Sequence, residues 1–225
     1  MARTTSRSTT SASPADAEPA PTTARPATAA LPVTADVGNA TQLITVAAPS
    51  RSSTEGTLTT WERTDGGWQR KLGPVHAYLG SEGIGASSEQ HSRTPQGTFA
   101  LTQSFGRDAD PGTALPYFRT DLRDWWVSDV DAPSYNTHQR CRTADCPFDT
   151  GASEQLDLVD PEYDYAVVID ANMNPVVAGD GSAFFLHVAN GGPTAGCVAI
   201  DQGTLVTIMQ WLDPAHHPRI AIGLG

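Results

Sequence analysis

The sequence predicts a mainly β domain carrying one short helix, and three observations point there. From residue 41 onward, short segments alternate β-branched or aromatic residues with polar ones, the period of strands with one buried face. An Asp65-Gly66-Gly67 run separates two such segments and supplies the positive φ angles of a tight hairpin turn. Only residues 202–212 place apolar side chains at helical spacing.

Taken in order, residues 1–36 are almost wholly Ala, Ser, Thr and Pro, with Leu31 and Val33 the only sizeable aliphatics. Such a stretch cannot bury enough apolar area to offset its ordering entropy, so it is expected to be disordered, with the folded domain at 37–225. Strands are expected at residues 42–47, 57–63 and 69–79, punctuated by Pro49, Gly56, the Asp-Gly turn and Gly73-Pro74. Further strands follow at 99–105, at 166–170 (nearly all aliphatic, hence central) and at 184–188. Residues 106–163 crowd Pro, Gly, Asp and Trp together without period. That is too long for an ordinary connection and reads as a lid-like or binding excursion. Asp201 is the N-cap of the helix, Leu205, Ile208, Met209 and Leu212 share one face, and Pro214 follows its end. A last strand at 219–224 closes the sheet.

The formal charge is −11. Arg3, Arg7 and Arg25 balance Asp16, Glu18 and Asp36, so the net charge sits on residues 37–225. Residues 108–164 hold thirteen carboxylates against four arginines. This surface repels phosphate backbones and argues against nucleic acid or an anionic membrane as partner. It favours amine-bearing ligands, or is a solvated acidic loop. No apolar run is long enough to cross a membrane. Residues 27–37 are interrupted by Pro32 and too polar for a secretory h-region, so no signal peptide is read. A monomer is expected.

Three cysteines suggest one local disulfide, Cys141 with Cys146, and one free thiol, Cys197. His138-x2-Cys141-x4-Cys146 also admits a zinc reading, but no fourth ligand stands at convincing spacing, and no metal or cofactor is expected. A disulfide would hint at an oxidising compartment.

The segment Gly181-Ser182-Ala183-Phe184-Phe185-Leu186-His187, followed by Pro193-Thr194-Ala195-Gly196-Cys197-Val198-Ala199, carries the chemistry. An apolar strand delivers His187 near its end, a Gly191-Gly192-Pro193 turn reverses the chain, and a second strand begins at Cys197. Two antiparallel strands joined by such a loop would set imidazole and thiol side by side, and a neighbouring imidazole favours the thiolate. The carboxylates of the excursion oppose that shift. Gly196 lets the backbone approach a bound carbonyl, whose oxyanion the amides near Cys197 would meet. The Thr194 hydroxyl is placed to orient imidazole or substrate. Trp125, Trp126, Tyr117 and Tyr135 either floor a groove or form a mini-core of the excursion.

These residues resemble the signature of the YkuD-type L,D-transpeptidases, a His followed by Ser/Thr-x-Gly-Cys, and more closely its ErfK/YbiS-like branch. Arg93-Thr94-Pro95-Gln96-Gly97-Thr98-Phe99, Asp124-Trp125-Trp126, Tyr135-Asn136, Ser153-Glu154-Gln155-Leu156 and Tyr163-Asp164-Tyr165 are similar to further landmarks of that branch. The resemblance covers roughly residues 38–225. It implies a β-sandwich or barrel-like fold, Cys197 as acylated nucleophile, His187 as general base, and Thr194 and Gly196 on the oxyanion side. Tyr135, Asn136 and Glu154 become substrate-side candidates. The implied partner is a peptidoglycan stem peptide, with covalent capture of carbapenems, and the implied location is extracytoplasmic. Relatives commonly carry Arg two places after the cysteine, where this chain has Ala199. Donor recognition is therefore expected to differ or to come from Arg93, Arg140 or Arg142. The functions in play are transpeptidation, L,D-carboxypeptidation, or a non-catalytic wall-binding module. A thiol redox role lacks a Cys-x-x-Cys motif.

Overall fold

A computed structural model describes residues 1, 2, 4 and 29–225, so the disorder expected over residues 3 and 5–28 lies outside the described residues. Alternating sequence builds β1 (Gln42–Ala48), β2 (Glu55–Thr64) and β3 (Gly67–Tyr78). Thr64 faces Gly67 across the Asp65-Gly66 turn, and β2 and β3 form the hairpin that this pair encodes. Two short pieces, β4 (Ile84–Gly85) and β5 (Thr94–Pro95), lead into β6 (Gly97–Gly106). The excursion is itself folded and holds β7 (Tyr117–Arg119), β8 (Asp124–Trp126), β9 (His138–Arg140) and β10 (Glu154–Gln155). Then come β11 (Ala166–Ile169), β12 (Phe185–Val188), β13 (Val198–Ile200), the helix α1 (Gln202–Trp211) and β14 (Arg219–Leu224). Asp201 caps α1 by accepting a hydrogen bond from the Thr204 N–H at 2.9 Å.

The main sheet runs in the order β11-β12-β13-β3-β2-β1-β14-β6-β7, and β11 also pairs with β6. That extra pairing closes the sheet into a barrel-like form, with only the short β7 left at an edge. Strand alternation sorts side chains between two faces. Val167, Ile169, Leu186, Val188, Val198 and Ile200 point into the principal core, which Leu205, Ile208 and Met209 of α1 join. Ala166, Val168, Phe185 and Cys197 face the other way and pack under Trp126, Leu156 and Tyr163 of the excursion. The excursion's own sheet, β10-β8-β9, carries Trp126 onto the barrel, and Leu156 follows directly after β10.

Two expectations are corrected. β12 and β13 are parallel, with Leu186 opposite Val198 and His187 opposite Ala199. The connecting loop leaves the sheet rather than folding straight back: Thr194 N–H donates to Leu79 O and Ser81 N–H to Thr194 O, beyond the end of β3. Alternation reports which face a residue takes, and it is silent on strand direction. The ordered chain also begins before residue 37. Val33 is buried against Leu43, Trp61 and Ala221, and Ala29 N–H donates to Trp68 O at 3.2 Å. The outer face of β1, β2 and β14 is apolar enough that a single valine finds a seat on it.

Candidate active site

Parallel pairing still puts the sulfur and the imidazole on one face, because residues 185, 187, 197 and 199 share parity across the ladder. Both side chains line a cleft of about 440 Å³, together with Thr194, Gly196, Ala183 and Phe184 of the motif segment and Glu154, Glu162 and Tyr163 of the excursion. Residues 88–92 complete its rim. The excursion and the motif segment thus both contribute to its lining.

His187 is 6% exposed. Its Nδ1 lies 2.8 Å from Val188 O, an acceptor only, so Nδ1 carries the proton and Nε2 is left as the basic nitrogen. Cys197 is 7% exposed. Its thiol donates to Ala183 O and its sulfur accepts from Phe185 N–H, both at 3.4 Å. No hydrogen bond joins Cys197 to His187 among the described residues. Burial, reinforced by the Glu154 charge, pushes the thiol pKa up, while the Phe185 N–H opposes the shift. Burial lowers the His187 pKa, against the pull of Val188 O and the Glu162 charge. Both directions favour thiol and neutral imidazole as the resting pair.

The Thr194 hydroxyl accepts from Gly196 N–H at 3.1 Å and donates to Cys197 O at 2.8 Å. It locks the turn that carries the sulfur and does not reach the imidazole. Thr94 Oγ1 donates to the same Cys197 carbonyl at 3.0 Å. The Gly196 N–H is thus occupied within the turn. Gly196 adopts φ +144, and a Cβ there would sit 3.0 Å from the Phe184 ring and 3.1 Å from Arg93 O. Only glycine fits this turn without displacing the backbone behind it.

Tyr135 and Asn136 stand behind the cleft rather than in it. The Tyr135 hydroxyl donates to Glu89, a rim residue. Asn136 is 1% exposed and takes φ 55. Its amide oxygen accepts from Trp126 Nε1 at 2.9 Å and from Ala183 N–H at 3.2 Å, while its nitrogen donates to Ala171 O and Asn172 O. Ala183, itself at φ 56, is thereby pinned with its carbonyl toward the sulfur. Glu154 does line the cleft, and the Tyr163 hydroxyl donates to its Oε2 at 2.5 Å. Burial raises the Glu154 pKa. Tyr163 stands edge-on to His187 with ring centroids 5.6 Å apart.

Trp125 and Trp126 are buried, the latter edge-on to Phe185 at 5.0 Å, so the mini-core reading holds and the groove-floor reading does not. Cys141 and Cys146 are joined in a disulfide, and His138 Nε2 lies 2.8 Å from Asp124. No thiolate is left there for zinc. Arg140 is engaged by Asp121 and Asp124, and Arg93 faces Glu82 at 3.7 Å; neither they nor Arg142 line the cleft. Glu89, His91 and Glu162 were not singled out from sequence. They are charged loop residues without motif, and only the tertiary fold reveals that they share a cavity.

Residues 52–220 match the family model described as YkuD, L,D-transpeptidase catalytic domain. No curated protein and no solved structure matches the chain.

Proposed function

The chain belongs to the L,D-transpeptidase catalytic domain family, and from that premise we propose a cysteine-dependent acyl transfer on peptidoglycan stem peptides, with Cys197 as nucleophile and His187 as base. The observation that carries this reading is the free Nε2 of a buried, tautomer-fixed His187 facing the same cleft as the Cys197 thiol. A neutral imidazole is the competent form of a base, and its lowered pKa keeps it neutral at physiological pH.

In this scheme the thiol proton passes to His187 Nε2 as the sulfur attacks the amide carbonyl before the terminal D-alanine. The oxyanion forms against the N–H of Cys197. As the C–N bond breaks, the imidazolium returns the proton to the departing amine, leaving a thioester on Cys197. An amine of a second stem, or water, then attacks the thioester carbonyl. His187 takes the nucleophile's proton and hands it to the departing sulfur. Transfer to an amine gives a cross-link; transfer to water gives carboxypeptidase activity.

Intact-mass measurement after incubation with a carbapenem tests the acyl-enzyme. A mass increase that disappears in Cys197→Ala is expected. A fully titratable thiol that takes up no carbapenem would overturn the enzyme reading and leave a wall-binding module. D-alanine release from a stem tetrapeptide, with and without an acceptor, then separates cross-linking from hydrolysis.

A further inference from the structure

The cleft has a charge character that the thiol and imidazole do not explain. Its remaining ionisable lining groups are Glu89, His91, Glu154, Glu162 and Tyr163, with no lysine or arginine. Each carboxylate has one oxygen held by a neutral donor: the Tyr135 hydroxyl on Glu89, the Tyr163 hydroxyl on Glu154 at 2.5 Å, and the Asn190 amide on Glu162 at 2.6 Å. Among the described residues none of the three is in an ion pair. Carboxylates crowded around one cavity repel each other unless a cation arrives to offset them. A second observation points the same way. His187 is more than nine-tenths buried, and its unpartnered Nε2 faces this cavity as an acceptor awaiting an N–H or O–H donor.

We infer that the cleft seats a primary ammonium against Glu154, that this ammonium is the incoming acyl acceptor, and that ligands presenting a carboxylate there are rejected. The inference rests on the acyl-transfer reading above and names the residue that chooses the acceptor. Glu154 belongs to the excursion and lines the cleft, and its charge is felt at the Cys197 sulfur. Tyr163 ties it into the site, with its hydroxyl on Glu154 and its ring against His187. An ammonium at Glu154 therefore lies beside the thioester. One N–H proton passes to the Glu154 carboxylate, and the neutral amine attacks the thioester carbonyl. A second proton passes from nitrogen to His187 Nε2 and on to the leaving Cys197 sulfur as the C–S bond breaks. Glu154 then releases its proton to solvent. Burial, which raises the Glu154 pKa, suits the group to that temporary protonation.

Cadaverine and glutarate, an ammonium and a carboxylate probe on matched carbon chains, test the seat by titration calorimetry at low salt, where charge is least screened. The unsubstituted chain is expected to bind cadaverine and not glutarate. Glu154→Gln, which keeps an acceptor for Tyr163 and removes the charge, is expected to weaken cadaverine by about tenfold or more. Equal binding of glutarate by the unsubstituted chain, a comparison that needs no variant to fold, would overturn the inference. So would an unchanged cadaverine affinity in a Glu154→Gln chain that melts normally. In parallel, the acyl-enzyme made from a stem tetrapeptide is partitioned between cadaverine and water and read by mass. Glu154→Gln is expected to shift the products toward hydrolysis by about tenfold, and an unshifted ratio counts against the seat. If Cys197 is never acylated, the acyl-transfer reading falls, and the cadaverine titration still decides whether Glu154 seats an ammonium.

Discussion

At the scale of single residues, His187 and Cys197 begin as an uncharged pair, and that has a consequence for pH. Burial holds the His187 pKa below its ordinary 6.5 and the Cys197 pKa above its ordinary 9.0. On the proposed mechanism acylation needs neutral imidazole, and a lowered pKa means the proton leaves at lower pH. The carbapenem acylation rate should therefore rise along an acid limb centred below 6.5 and stay flat through pH 8. A thiolate–imidazolium pair would instead lose rate above the imidazolium pKa. Stopped acylation followed by intact mass across pH 4–9 distinguishes them, and an acid limb centred above 6.5 would contradict the neutral pair. The sulfur and the imidazole were legible in the sequence because motif chemistry is written in residue type and spacing. What holds them was not. Nothing local announces that Ala183 takes φ 56, or that a distant Asn136 fixes it, since both depend on contacts made across the excursion.

At the scale of elements, the excursion contributes core as well as wall. Trp126 is 1% exposed and packs on Phe185 beside the sulfur. The disulfide of Cys141 and Cys146 belongs to a separate, smaller cluster with Trp125, Val127 and Phe148. Trp126→Ala should cost about 3–5 kcal/mol, the range for removing a buried tryptophan. Replacing Cys141 and Cys146 together by serine should cost only about 2 kcal/mol, as expected for so short a closed loop. Urea melts rank the two, and the reverse order would mean that the disulfide, not the tryptophan, holds the excursion down. Reduction of the disulfide should accordingly leave carbapenem acylation close to that of the oxidised chain. The positions of β1 to β3, β11, β12, α1 and β14 were readable from alternation, turn chemistry and capping. The parallel sense of β12 and β13 was not, because a loop of that length permits either direction. The bonds of Thr194 and Ser81 to the end of β3 decide it.

At the scale of the whole molecule, barrel closure leaves an apolar surface, away from the excursion, that the strands alone do not cover. Leu43 on β1, Trp61 on β2 and Ala221 on β14 lie side by side on the outer face of the closed sheet. Val33 lies on them, 5% exposed, with Leu31, Ala35 and Val37 packed around it. Polar anchors flank the seat: Arg219 Nη1 donates to Asp36 O at 2.9 Å, and Asp36 N–H donates to Thr98 Oγ1 at 3.1 Å. This segment follows no periodic pattern, which is why composition alone placed it outside the domain. Burying one valine stabilises by about 1.5–3 kcal/mol, and Trp61 would regain solvent exposure without it. A chain beginning at residue 38 should therefore be less stable than one beginning at residue 29 by about 1.5–3 kcal/mol. Val33→Ala in the longer chain should reproduce part of that loss, about 1 kcal/mol. Thermal melts followed by tryptophan fluorescence read both changes, with Trp61 as a local reporter of the uncovered face. Equal stability of the two chains would show that residues 29–37 rest on the barrel without contributing to it.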